Sequence, residues 1–175
     1  AVPSLALGNV KENMKRHLAM MREAKEKHVS IVTFPELSLT GYTCGDLFFQ
    51  RRLLDDVTDA LLALKDEMPE EILAVVGAPL EIEGALYNCA VVLHKGEIIS
   101  AVPKTFLPNN GEFYEKRWFT SYNLVRNQHE ITFNGSSYPF GADIIFDAGR
   151  VKLAVEICGD LWGPIPPRSI YSIHG

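Results

Sequence analysis

Three apolar runs joined by two-residue turns constrain this chain more than any other feature. Ile72 to Pro79 reads Ile-Leu-Ala-Val-Val-Gly-Ala-Pro, an unbroken apolar run of the kind a strand needs when both its faces are buried. Glu83-Gly84 turns the chain into a second strand, Ala85 to His94, and Lys95-Gly96 turns it into a third, Glu97 to Val102. Such a meander commits the chain to a sheet, and apolar sheet faces must be covered. The preceding residues supply the cover. From Asn9 onward, Val10, Met14, Leu18, Met21 and Ala24 recur at helical spacing. Lys11, Lys15, Arg16, Arg22, Lys25 and Lys27, with Glu12 and Glu26, form the solvated opposite face. Ser30 to Phe34 reads as a short buried strand ending at Pro35-Glu36. A second helix, N-capped by Asp46, carries Leu47, Leu54, Val57, Leu61 and Leu64 and closes at Pro69. Helix, strand, helix and meander together predict a layered α/β fold.

Composition narrows the function classes. At 175 residues the chain can fill one domain, residues 1–175, with its own core. A net charge of −5 gives no attraction for nucleic acid or for an anionic membrane surface. No apolar run is long enough to span a bilayer, and no signal peptide is visible. The three cysteines, Cys44, Cys89 and Cys158, form neither a disulfide framework nor a Cys-x-x-Cys metal pattern, which fits a reducing cytoplasm. His28, His94, His129 and His174 lack metal-ligand spacing, so no metal is expected.

The chemistry concentrates at three strand ends. Val151, Leu153, Val155 and Ile157 alternate with Lys152, Ala154 and Glu156, predicting a strand that stops on Cys158-Gly159-Asp160. Residues 126–150 before it read as short strands and turns, with a hairpin at Asp147-Ala148-Gly149-Arg150. A cysteine fixed at a strand end, beside a free backbone N–H, suits nucleophilic catalysis. A lone cysteine is more often a packing residue, so the reading depends on what can meet it. Glu36 and Lys104 also follow strands, and sites in α/β sheets gather there. Lys104 opens an aperiodic stretch, residues 103–119, that mixes aromatics and charges as site-building loops do. The trio is coherent. A carboxylate can take a thiol proton and return it to a leaving amine. An ammonium and the Gly159 N–H can stabilise an oxyanion, and a nearby Lys104 would lower the thiol pKa. Taken singly, Glu36 and Lys104 also fit ordinary surface charges.

The motifs carry a resemblance. Phe34-Pro35-Glu36-Leu37-Ser38-Leu39-Thr40-Gly41-Tyr42 is the first; Lys104-Thr105-Phe106-Leu107-Pro108 with Gly111-Glu112-Phe113-Tyr114-Glu115 is the second. Glu156-Ile157-Cys158 with Asp160-Leu161-Trp162 is the third. In this order they resemble the nitrilase, or carbon–nitrogen hydrolase, superfamily, and within it the glutaminase domains of glutamine-dependent NAD synthetases. The resemblance implies a four-layer αββα sandwich, here incomplete, with the synthetase domain absent. It implies Glu36 as general base, Lys104 as oxyanion cation and Cys158 as nucleophile. Glu112 would be the second acid, holding Lys104 or guiding water, Gly159 would support the oxyanion, and Tyr42 and Phe113 would shape the substrate pocket.

The implied reaction releases ammonia from glutamine with no cofactor in this domain; ATP and deamido-NAD would serve the synthetase domain. Two positions depart from the pattern: Gly159 stands where the family commonly has an acid, and Asn110 where it commonly has Tyr. Both departures bear on glutamine specificity more than on amide chemistry. Half a sandwich would leave apolar faces open, so the chain is expected to pair with another copy or to behave poorly alone. The competing readings are an amidase for another small amide and a truncated, non-catalytic fragment.

Overall fold

Asn9 accepts the N–H of Glu12 at 3.2 Å and starts α1 (Val10–Glu26). The buried face of α1 carries Val10, Asn13, His17, Leu18 and Met21. Two of those five are polar, and the expected Met14 and Ala24 pack against the same core from partly buried positions. The polar pair have work to do. Asn13 donates to the Leu39 carbonyl at 2.9 Å, and His17 meets Ser38 Oγ at 2.9 Å. The first helix therefore grips the loop that follows Glu36.

The computed structural model describes residues 1–122, 130–133 and 135–174. After α1 come β1 (Ile31–Thr33), a 3₁₀ turn (Gly45–Phe49), α2 (Arg51–Glu67), β2 (Leu73–Ile82), β3 (Ala85–His94) and β4 (Glu97–Pro103). These strands form one sheet in the order β1-β2-β3-β4, with β1 parallel to β2 and the other pairs antiparallel. The meander is present as expected. Its turns use Glu83 and Gly84 at φ 51° and 77°, and Lys95 and Gly96 at 51° and 74°. Two successive left-handed residues match the twist of the flanking strands, and glycine takes the second place without a steric penalty.

The sheet has two different faces. Ala74, Val76, Ala78, Cys89, Val91 and Leu93 point to the helices, and α1 and α2 cover them. Val75, Ala90, Val92 and Val102 point the other way, where Ile157 and Val155 pack on them. Each fully buried Val or Leu contributes about 1.5–3 kcal/mol, so both faces matter to folding. The remaining elements are α3 (Glu115–Trp118), β5 (Glu130–Phe133), β6 (Ser136–Pro139), β7 (Phe146–Asp147), β8 (Lys152–Leu153), a second 3₁₀ turn (Cys158–Trp162) and α4 (Pro167–His174).

Several expectations are corrected. Only Lys152 and Leu153 of the cysteine strand form a ladder, with Phe146 and Asp147. Residues 154–157 run along the second sheet face without a paired strand among the described residues. Alternation recorded which side chains pack, not which backbone pairs. β1 buries only Val32 of its three residues, as befits a strand at the sheet edge. Asp46 does not cap α2; Gln50 holds that position without a side-chain bond. The Asp46 carboxylate instead accepts from Arg117 Nε and Nη2, both at 2.8 Å, and from Trp118 Nε1 at 3.0 Å. This ties the first 3₁₀ turn to α3. Residues 126–129, including His129, lie outside the described residues.

Candidate active site

Glu36 leaves β1 on a loop pressed against the sheet. A Cβ on Gly77 of β2 would lie 2.4 Å from both the Pro35 carbonyl oxygen and the Leu37 nitrogen. Only glycine permits that approach. Leu37 sits at φ 52°, and the Leu39 N–H closes onto the Gly77 carbonyl at 3.1 Å. The loop thus turns sharply and returns to the strand beneath it.

Lys104 follows β4 and is fully buried. Its Nζ lies 2.5 Å from Glu36 Oε1 and 2.7 Å from Glu115 Oε1. Burial by itself would lower the lysine pKa. Glu36 and Glu115 more than offset that, so the net shift is upward and the ammonium keeps its proton. Tyr42 Oη donates to the same Glu115 oxygen at 2.6 Å, and Asn88 Nδ2 donates to Glu36 Oε1 at 2.6 Å. Burial, followed by the neighbouring Glu115, pushes the Tyr42 phenol far up, so it remains a donor.

Cys158 opens the second 3₁₀ turn at φ 42°, a conformation that costs a non-glycine residue about 1–2 kcal/mol. Asp160 holds the turn there. This buried carboxylate accepts the N–H groups of Thr105 at 2.9 Å, Phe106 at 2.7 Å and Ile157 at 3.2 Å. Burial raises the Asp160 pKa, and these three N–H groups pull against it. The Cys158 turn is therefore bonded directly to the residues after Lys104. Gly159 and Gly163 add close approaches: a Cβ on Gly159 would come within 2.8 Å of the Phe106 carbonyl, and one on Gly163 within 2.3 Å of the Phe106 ring.

The Cys158 side chain is exposed, whereas Cys44 and Cys89 are buried. Its thiol pKa is raised, first by burial and then by the charge of Glu36, with Lys104 pulling the other way. The expected lowering by Lys104 is present but outweighed. The upward shift favours the protonated thiol, and Glu36 is one of the charges that contribute to it. Both residues line a cavity of about 350 Å³ whose apolar wall includes Val75, Ala90 and Ile157.

The structure thus brings Glu36, Lys104 and Cys158 together, with Gly159 following the sulfur. Tyr42 and Phe113 stand edge to face with centroids 6.4 Å apart, but neither lines that cavity. Glu112 is a correction: it is exposed in the turn after Asn110-Gly111, and Glu115 holds Lys104 instead. A signal for Glu115 was present. Asn109-Asn110-Gly111 favours a solvated turn at Glu112, while Glu115 and Phe119 stand four apart, on one side of a helical turn. Asn88 was missed too, although a lone amide before the run Cys89 to Leu93 marks a buried polar group that needs a partner. Among the described residues no cluster of His, Cys, Asp and Glu could hold a metal.

Glu36, the doubly paired Lys104 and Cys158 are brought together by the loops and the turn beside the sheet, and the chain belongs to the carbon-nitrogen hydrolase family, which matches residues 4–172. It is similar to the glutamine-dependent NAD(+) synthetase of Mycobacterium tuberculosis, 38% identical over 97% of this chain and 25% of that protein. It is similar also to the crystal structure of a glutamine-dependent NAD(+) synthetase from Cytophaga hutchinsonii, at TM-score 0.80 and 31% identity, covering 90% of this chain and 27% of that one. An amidase of the nitrilase superfamily from Nesterenkonia shares the fold, with TM-score 0.74 at 17% identity over 98% of this chain and 60% of that one. The chain spans about a quarter of the length of the synthetases it matches.

Proposed function

We propose that this chain is the glutamine-hydrolysing part of a glutamine-dependent NAD synthetase. The observation that supports it best is Lys104, buried between Glu36 and Glu115 beside an exposed cysteine. An ammonium has three N–H donors. Two are engaged by the carboxylates, which leaves the third for a substrate oxygen. Glu36 takes the Cys158 proton as sulfur attacks the amide carbon. The oxyanion gathers the free N–H of Lys104 and the Gly159 N–H. Collapse breaks the C–N bond, Glu36 returns the proton to the departing nitrogen, and ammonia leaves a thioester. Water, deprotonated by Glu36, then attacks the thioester and releases glutamate and the thiol. Tyr42 and Phe113 shape the approach of the substrate.

The ammonia would serve a synthetase domain that amidates deamido-NAD with ATP. That domain is the partner in this reading, which also places the protein in the cytoplasm and in an assembly with further copies of itself. Among the described residues no helix is long and apolar enough to cross a membrane.

A second reading, an amidase for a different small amide, is favoured by Gly159, whose close approach to the Phe106 carbonyl leaves no room for a side chain as the turn stands. Release of glutamate and ammonia from glutamine, abolished in Cys158→Ala, supports the first reading. Turnover of other amides, with glutamine left intact, would replace it with the second.

A further inference from the structure

The catalytic trio has a fourth member that its chemistry does not name. Asn88 lies on β3, is 1% exposed, and bonds to the Glu36 carboxylate and to the backbone of Lys104. Its side-chain Nδ2 donates to Glu36 Oε1 at 2.6 Å, and its backbone carbonyl accepts the backbone N–H of Lys104 at 2.8 Å. The carboxylate oxygen it meets accepts a second bond, from Lys104 Nζ. An sp² carboxylate oxygen has two lone-pair directions, so Oε1 is saturated. The other oxygen, Oε2, is left for the sulfur.

The amide orientation follows from chemistry. A carboxylate accepts only, so the NH2 end must face Glu36. The cost falls on the other end: Asn88 Oδ1 is buried with no partner among the described residues. An amide that leaves one end unmet in the interior is retained for what the other end does.

We propose that Asn88 is a positioning residue for the hydrolysis: it occupies one face of Glu36 Oε1, fixes the rotation of the carboxylate and aims Oε2 at the Cys158 thiol. The proposal rests on the assignment of Glu36 as base. It makes two features separable. Removing the donor loosens the carboxylate and lowers kcat, while substrate binding, which Asn88 does not touch, is spared. Replacing the amide by a second carboxylate puts like charges side by side and raises the pKa of the base.

The test uses the full-length protein with Asn88→Ala and Asn88→Asp, each checked for a native circular dichroism spectrum and melting temperature. Glutamine hydrolysis is followed from pH 5 to 9, and iodoacetamide alkylation of Cys158 is read by intact mass over the same range. The expected result is a kcat lower by about 10–100-fold in Asn88→Ala with KM within about threefold of wild type. In Asn88→Asp the acidic limb of kcat/KM moves up by about one pH unit or more. A folded Asn88→Asp with an unmoved acidic limb overturns the proposal, and so does a fall in kcat matched by an equal rise in KM. If the wild type leaves glutamine intact, the functional reading fails, and the alkylation profile still decides the role of Asn88: a changed pH dependence in Asn88→Asp supports it, and an unchanged one refutes it.

Discussion

Gly77→Ala should disable the site from beneath. The added methyl would stand 2.4 Å from the Pro35 oxygen and the Leu37 nitrogen, and 2.8 Å from the Glu36 carbonyl carbon. All three are backbone atoms, so no side-chain rotation relieves the overlap. Ordinary contact begins at 3.4 Å, and the loop must therefore recede by about 1 Å. Glu36 moves with it. The bonds to Lys104 at 2.5 Å and Asn88 at 2.6 Å then stretch beyond useful length. Overpacking of this kind costs about 1–3 kcal/mol. For a chain of this size that lowers Tm by roughly 3–10 °C. Misplacing a catalytic group by about 1 Å costs about 10²-fold in rate. The assay is kcat for glutamine hydrolysis at a temperature where the variant is fully folded, with a thermal melt alongside. A kcat within about threefold of wild type, with Tm unchanged, would refute the claim that the sheet sets the position of Glu36.

Other outcomes follow from the same contacts. Asp160→Ala orphans three backbone N–H groups, one buried and two partly buried, and should cost about 2–4 kcal/mol, read as a lower urea midpoint, with slower alkylation of Cys158. His17 is buried against Asn13, Ser38 and Phe34, and burial lowers its pKa from 6.5. Above pH 6.5 neither the folded nor the unfolded state carries the proton; below it the unfolded chain binds it first. Stability should therefore fall as pH drops below 6.5 towards the folded pKa, and His17→Gln should remove that part of the slope in urea titrations. In the native protein iodoacetamide should modify Cys158 and spare Cys44 and Cys89, because Cys158 is exposed and the other two are buried.

How much was legible depended on what each residue's pattern records. The meander was readable because Glu83-Gly84 and Lys95-Gly96 demand left-handed turns and because the strands are apolar on both faces. Glu36 and Lys104 were readable as residues that follow strands within motifs, whereas the strand expected to lead into Cys158 stops at Leu153. Contacts across the fold were not. Asp46 stands before a helix as a cap would, yet Arg117, 71 residues away, competes for its carboxylate and wins with two parallel bonds. Glu112 and Glu115 are chemically alike; the turn signal at Asn109-Asn110-Gly111 sets Glu112 apart, but the contact of Glu115 with Lys104 comes from packing across the fold. The segment 154–157 alternates as a strand does because its side chains alternate between the sheet face and the outside; alternation says nothing about a backbone partner. Gly77 looks like any small residue in a strand until the loop above it is placed.

The central claim is that Cys158 is a nucleophile activated by Glu36 and assisted by Lys104. It is tested most directly by trapping with a glutamine-analogue electrophile, read by intact mass, in wild type, Glu36→Ala and Lys104→Ala. The account predicts one label per chain, on Cys158 alone, and its collapse in both variants. Labelling that is spread over the cysteines, or that persists undiminished in the variants, would contradict it.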